Sequence, residues 1–225
     1  MDIVYNCDDN YAVHTAVSIT SIFENNRLEE SIRIFILGNG ISEESEKKLS
    51  SIGDIYAVTD RMNMQQSFGE VPNGFRREVH IIELHDFEKT LRLMFGESMD
   101  AGRFTVTALA RIFASQYLPD DTERYLYLDC DTVVKRPLNM LFQTRMDGMA
   151  AGMVPEPTIY PEVRKYLGME DNTPYFNTGM MLVDRSEWEK QDITRQCVNF
   201  YKEKKGRLPF SDQDIINYVL KDQVK

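Results

Sequence analysis

Two short runs rich in β-branched and aromatic residues flank a stretch of helical periodicity near the start of the chain. This strand–helix–strand pattern constrains the fold more than any other feature, because strands joined through a helix pair in parallel by right-handed crossovers. The first run covers residues 2–6 and ends in Cys7-Asp8-Asp9-Asn10, which is turn and helix-capping chemistry. Val13, Ala16, Val17, Thr20 and Phe23 or Glu24 then set a helical rhythm that Asn25-Asn26 can stop. The second run, Ile32 to Leu37, closes at Gly38-Asn39-Gly40. Ser42 is placed to cap a helix from Glu43 to Ser51, and Ile55 to Val58 reads as a third strand. The fold class is therefore α/β, with a Rossmann-like, mostly parallel sheet flanked by helices.

Residues 59–103 carry no assignable pattern beyond a helix-like stretch near 85–95, and they read as an excursion from the sheet. Order returns with a helix over Thr105 to Leu118, carrying Leu109, Ile112, Phe113 and Tyr117 on one side and stopped by Pro119. Arg124 to Leu128, Met149 to Val154 and Tyr175 to Val183 read as strands, followed by helices at about 185–190, 192–204 and 212–221.

Charge and composition exclude several function classes. The 36 acidic side chains outnumber the 26 basic ones, for a net charge of −10. A nucleic-acid partner is not expected, because a polyanion requires a basic footprint to release its counterions. No apolar run reaches the ~18–20 residues of a membrane helix. The start of the chain has no basic segment of the signal-peptide kind. Three scattered cysteines, Cys7, Cys130 and Cys197, fit neither a disulfide framework nor a zinc site and suit a reducing compartment. A cytoplasmic protein is expected, in contact with a membrane at most peripherally.

Five segments carry candidate chemistry. Asp129-Cys130-Asp131 follows a β-rich run, and at extended spacing its two carboxylates lie on one side of the chain. Carboxylates so close repel unless a cation neutralises them, and oxygen ligands suit Mg²⁺ or Mn²⁺. The alternative is a solvated acidic turn. Cys7 to Tyr11 supplies free N–H groups and polar side chains at a helix start, usable by a nucleotide or explained by capping alone. No glycine-rich phosphate loop is present, so phosphates bound here need neutralising by another route. Asn177-Thr178-Gly179 interrupts an apolar strand, marking either a ligand's close approach or a β-bulge. Ser211-Asp212-Gln213-Asp214 precedes an apolar-periodic helix, where Ser211 or Asp212 suffices as an N-cap. Arg111 sits among small and apolar residues and either snorkels, pairs with a carboxylate or reaches a diphosphate. The three histidines form no catalytic spacing, and Cys130 between two aspartates is a poor thiolate.

Taken together, Asp2-Ile-Val-Tyr, Asp8-Asp9-Asn10-Tyr11, Ala110-Arg111-Ile112, Tyr125 to Val133, Tyr175 to Gly179 and Asp212-Gln213-Asp214 resemble the family 8 retaining glycosyltransferases. The bacterial lipopolysaccharide branch is more similar than glycogenin, chiefly through the N-terminal run and Ile41-Ser42-Glu43. The resemblance implies a single GT-A catalytic domain over 1–225, with UDP-hexose as donor, Mn²⁺ or Mg²⁺ as cofactor and a saccharide acceptor. It implies Asp8, Asp9, Asn10 and Tyr11 around uridine and ribose, Cys130 near the ribose through its backbone, and Asp129 and Asp131 on the metal. Arg111 is implied at the donor sugar or diphosphate, Asn177 and Asp212 at sugar hydroxyls, and Gln213 at the reacting carbon. The family's C-terminal His-x-x-Gly-x-x-Lys-Pro-Trp segment, with a third metal ligand, has no counterpart in these 225 residues. Two other readings stay open at this level. A haloacid-dehalogenase-like phosphatase fits Leu128 to Val133, with Asp129 as nucleophile and Asp131 as acid. A nucleotide-sugar binder without catalysis fits the same segments.

Overall fold

The computed structural model describes residues 1–95 and 106–225. In chain order its elements are β1 (Asp2–Asp8), α1 (Ala12–Asn25), β2 (Ser31–Asn39), α2 (Glu43–Phe68), β3 (Arg76–Glu83), α3 (Phe87–Phe95), α4 (Ala110–Phe113), β4 (Arg124–Leu128), α5 (Asn139–Phe142), β5 (Ala151–Pro155), α6 (Pro161–Leu167), β6 (Phe176–Asp184), α7 (Arg185–Lys190), α8 (Ile193–Glu203) and α9 (Ser211–Leu220). Short 3₁₀ turns occupy Asp9–Tyr11, Val106–Leu109 and Ala114–Gln116. The result is an α/β fold with a mixed, mostly parallel six-strand sheet flanked by helices. The chain divides into two compact units, Met1–His85 with Leu128–Thr144, and Asp86–Tyr127 with Arg145–Lys225. No helix among the described residues is long and apolar enough to cross a membrane.

In the first unit the strand order is β3-β2-β1, all parallel. β1 and β2 are buried along most of their length, as parallel strands covered by helices must be. α1 forms where expected, yet its inward stripe is Ala12, Thr15, Ser18, Ile19, Ile22 and Phe23. Val13 and Val17, part of the rhythm read from sequence, face solvent at 74% and 53% exposure.

The third strand is not at Ile55 to Val58. Those residues lie in the middle of α2, which runs unbroken between Ser42, whose side chain accepts from the Ser45 N–H, and Gly69 in the left-handed region. Leu49, Gly53, Tyr56, Asp60 and Met64 form the buried stripe of α2. A Cβ at Gly53 would stand 3.0 Å from the Arg77 carbonyl, so α2 lies close on β3 only because position 53 is glycine. The true third strand is β3, so much of residues 59–103 belongs to regular structure and not to an excursion. Residues 96–103 of that stretch lie outside the described residues. Beneath α2, Asp60 accepts from Arg27 (2.8 Å) and Arg77 (2.9 Å), with the Asp60 and Arg77 side chains wholly buried.

In the second unit the strand order is β4-β6-β5, and β5 runs antiparallel to β6. The continuous helix expected from Thr105 to Leu118 is broken into the Val106–Leu109 turn, the single turn α4 and the Ala114–Gln116 turn. Thr105 lies outside the described residues. Adjacent Met153 and Val154 pair with Met181 and Asn177, so β6 bulges at Thr178–Met180. The bulge alternative for Asn177-Thr178-Gly179 is therefore the structural fact.

Candidate active site

The candidate residues fall into one group in each unit. In the first unit, β1 delivers Asp8 to the start of the Asp9–Tyr11 turn, where its Oδ1 accepts from the Tyr11 N–H at 3.1 Å. Asp9 points elsewhere. Its exposed carboxylate accepts from the Ser42 N–H (2.9 Å) and hydroxyl (2.8 Å), which tie it to the start of α2. The Ser42 N–H leads the bonds that pull the Asp9 carboxyl below its ordinary value. Asn10 is exposed and Tyr11 is half exposed, its ring 5.5 Å from that of His14.

Asp129, Cys130 and Asp131 do not continue β4. The Thr132 N–H and hydroxyl close back on the Asp129 carbonyl at 3.2 and 2.8 Å, so a turn, not strand alternation, sets the two carboxylates. Asp129 is half-buried and Asp131 exposed. Cys130 is buried, and its thiol donates to the Asn6 carbonyl at 3.1 Å. Its thiol pKa is pushed up, first by the hydrogen bond with Cys7, then by burial, with Asp129 a minor contributor. It is a poor thiolate, as expected, though the neighbouring aspartates are not the main cause.

The turn is held by one polar face of α1 that sequence reading missed. Ser18 Oγ meets Thr132 Oγ1 at 3.1 Å, Ser21 Oγ accepts from the Val134 N–H at 2.9 Å, and Asn25 donates to the Val134 carbonyl at 2.9 Å. Polar residues at positions 18, 21 and 25 share one helix face, and that spacing was the available signal. α1 starts at the Asp8–Tyr11 turn and grips the Asp129–Asp131 turn, so it fixes both segments within this unit.

Two carboxylates suit a hard divalent ion in kind. Among the described residues no group of three or more His, Cys, Asp or Glu side chains gathers as a metal site. Asp129 and Asp131 offer oxygen donors of the kind such an ion takes, and they are two in number.

In the second unit, Arg111, Asn177, Asp212 and Gln213 converge around the β6 bulge. Arg111 Nε lies 3.0 Å from Asp212 Oδ2, and Nη1 donates to the Thr178 carbonyl at 2.8 Å. The guanidinium also stands 4.6 Å over the Tyr127 ring. Of the readings open for Arg111, pairing with a carboxylate is the one present. Gln213 Oε1 accepts from the Thr178 N–H at 3.3 Å, so Thr178, at the centre of the strand interruption seen in the sequence, touches both Arg111 and Gln213. Asn177 is exposed, its Oδ1 accepting from the Gly179 N–H at 2.8 Å.

Neither Ser211 nor Asp212 caps α9. The N-cap is Phe210, with no side-chain cap, and its N–H donates to Asp214 Oδ2 at 2.7 Å, so a carboxylate one turn into the helix satisfies it. Asp212 is freed for Arg111. Ser211 has φ of +47°, a strained left-handed conformation for a residue with a Cβ, and its buried hydroxyl has no hydrogen-bond partner among the described residues. Asp214 is fully buried, its other oxygen accepting from the Tyr175 hydroxyl at 2.6 Å.

Comparison with known proteins places this chain in one family. Residues 2–225 match glycosyl transferase family 8. General stress protein A of Bacillus subtilis is 26% identical over 99% of this chain and 70% of its own length. A lipopolysaccharide 1,2-glucosyltransferase of Escherichia coli K12 is 27% identical over 98% of this chain but only 58% of its own length. The chain thus spans about three-fifths of several of the relatives it matches. Among solved structures, the galactosyltransferase LgtC in complex with donor and acceptor sugar analogs has the same fold, with a TM-score of 0.76. That match is 24% identical and covers all of this chain and 72% of the other. The phosphatase alternative is set aside by the family match, which takes in the Leu128–Val133 segment together with the Asn177 and Asp212–Asp214 segments. The chain belongs to glycosyl transferase family 8.

Proposed function

We propose that this protein is a retaining glycosyltransferase that moves a hexose, glucose or galactose, from UDP to a saccharide acceptor of the lipopolysaccharide or cell-surface glycan class. The observation that carries the reading is the Arg111–Asp212–Thr178–Gln213 cluster, found within a chain whose full length matches a glycosyltransferase family. The acceptor class rests on relatives named lipopolysaccharide 1,2-glucosyltransferase and lipopolysaccharide 1,3-galactosyltransferase.

In this reading Asp8, Asn10 and Tyr11 receive uridine and ribose, the half-exposed Tyr11 ring offering a face for the base. Asp9 supports them from outside, since Ser42 occupies its carboxylate. Asp129 and Asp131 would hold a Mn²⁺ or Mg²⁺ ion, which supplies positive charge to the diphosphate leaving group when bound. Asn177 and Asp212 bind sugar hydroxyls, and Arg111 holds Asp212 in orientation for that task.

Breaking the anomeric C–O bond leaves an anionic UDP and an oxocarbenium-like sugar. Gln213 presents a neutral amide, whose oxygen dipole favours the developing positive charge but is a weak nucleophile. Asp214 is fully buried with both oxygens committed to Tyr175 and Phe210, and Asp212 is paired with Arg111. This arrangement favours front-face attack by the acceptor hydroxyl over a covalent glycosyl-enzyme, with the departing phosphate oxygen taking the acceptor's proton.

The test is hydrolysis and transfer with UDP-glucose and UDP-galactose in manganese. Turnover of one donor, lost in Gln213→Ala and Asp212→Ala, is expected. Tight UDP binding without turnover of either donor would establish a binder instead, and a trapped adduct on Asp212 would overturn front-face attack.

A further inference from the structure

Asn217 lies one turn after Gln213 on α9 and is 2% exposed, so it is out of reach of a substrate. Its carboxamide nevertheless makes three hydrogen bonds. Oδ1 accepts from the Phe176 N–H at 2.6 Å, and Nδ2 donates to the Phe176 carbonyl at 2.8 Å and to the Gln213 carbonyl at 2.9 Å. One side chain thus joins the backbone of the residue before Asn177 to the backbone of Gln213. It replaces a strand neighbour on both polar groups of Phe176 and adds a side-chain bond to the Gln213 carbonyl in the first turn of α9.

A second peg stands beside it. Asp214 receives the Tyr175 hydroxyl and the Phe210 N–H, tying the residue before Phe176 to the residue before Ser211. Between these pegs sits Ser211 in its left-handed conformation. A strained residue persists only where its surroundings over-determine it. β6 is itself irregular here, with the bulge at Thr178–Met180. Phe176 and Asn177 pair with Pro155 and Val154 short of that bulge, and the Asn217 bonds tie this end of β6 to Gln213.

We propose that Asn217 is a positioning residue for sugar transfer, whose carboxamide fixes Gln213 relative to Asn177 by bonding the backbone of both segments. The inference rests on the reading of Asn177 and Gln213 as sugar-handling residues. It assigns Asn217 no contact with substrate. Its effect is expected on turnover, because misplacing a reacting group by about 1 Å can cost on the order of 100-fold. UDP binding, which the proposed function gives to residues of the first unit, is expected to be unaffected.

The experiment measures kcat and KM for UDP-glucose and UDP-galactose hydrolysis, UDP affinity by calorimetry, and folded fraction. It compares wild type with Asn217→Ala, Asn217→Asp, Leu220→Ala, Asn177→Ala and Gln213→Ala. Asn217→Asp keeps the size and the acceptor for Phe176 but turns a carboxylate toward two carbonyls, so it reports on the bonds if Asn217→Ala folds poorly. Leu220, fully buried on the same helix, serves as the stability control. Expected is a fall in kcat per folded molecule of at least about tenfold in the Asn217 variants. KM and UDP affinity stay within a factor of about three, and Leu220→Ala loses melting temperature but not kcat per folded molecule. If Leu220→Ala loses kcat equally, or the Asn217 variants keep wild-type kcat while Gln213→Ala and Asn177→Ala lose it, the positioning role is wrong and the site reading survives. If Gln213→Ala and Asn177→Ala also keep kcat, both fail together.

Discussion

Arg111 Nε stands 3.0 Å from Asp212 Oδ2, with only 10% and 6% of the two side chains exposed. The same guanidinium bonds the Thr178 carbonyl, so one cation joins the α4 turn, the β6 bulge and the first turn of α9. Removing it leaves a buried carboxylate without its ion pair, which typically costs about 3–5 kcal/mol. Arg111→Ala should lose stability on that scale in urea unfolding. Arg111→Lys should keep part of the stability but lose turnover on the order of tenfold or more, because a point charge cannot span Asp212 and Thr178 as the planar fork does. Full activity in Arg111→Lys would show that the fork geometry is immaterial.

Ser21 and Asn25 hold Val134 and, through it, the turn that carries Asp129 and Asp131. Groups that orient metal ligands from behind are commonly worth 10- to 100-fold in affinity, roughly. The Ser21→Ala, Asn25→Ala double variant should weaken manganese-assisted UDP binding by about tenfold on this scale, with metal-free UDP binding little changed. Calorimetry with and without manganese reads the difference.

Asp60 is shared by Arg27 and Arg77 beneath α2. Asp60→Ala strands the wholly buried Arg77 guanidinium and should destabilise the protein by about 3–5 kcal/mol. Replacing Arg77 as well, in an Arg77→Met, Asp60→Leu pair, should recover much of that loss. A double-mutant cycle in urea measures the coupling.

Burial raises the Asp214 carboxyl above its ordinary value of 3.8, against the lowering pull of the Tyr175 and Phe210 bonds. The folded chain therefore holds this proton more tightly than the unfolded chain. The corresponding stability is fully present below 3.8 and is lost as pH rises through the raised folded value. Asp214→Asn cannot titrate. Its stability relative to wild type should improve as pH rises from 3.8 upward through the acidic range, then level off. A relative stability that stays flat or falls across that range would refute the raised value.

The strands legible in the sequence were those whose local residues and tertiary surroundings agree. Ile3-Val4-Tyr5 and Ile32 to Leu37 are β-prone and buried. Ile55 and Val58 are β-branched too, but they sit between the Ser42 cap and Gly69, and helix continuity with the Leu49–Met64 stripe overrides their propensity. β3 was illegible because it is the outer strand of its unit and carries Arg76, Arg77, Glu78, His80 and Glu83. Its burial depends on Arg77 meeting Asp60, a pairing no local pattern announces. In the candidate site, the acidic and amide residues stood out by type. The groups that hold them did not. Ser18, Ser21, Asn25 and Asn217 act through backbone groups more than 30 residues away or through side chains equally remote. Asp9 shows the converse, for its place in an acidic turn suggested a ligand contact while the fold spends it on Ser42.

In the proposed function Asp129 and Asp131 recruit a divalent ion that secures the diphosphate of the donor. Calorimetric titration of UDP into wild type, Asp129→Asn and Asp131→Asn, each in manganese and in chelator, tests it directly. Manganese should tighten UDP binding at least about tenfold in wild type and not in either variant, a difference of about 1.4 kcal/mol or more. Equal UDP affinity with and without manganese in the wild-type protein would contradict it.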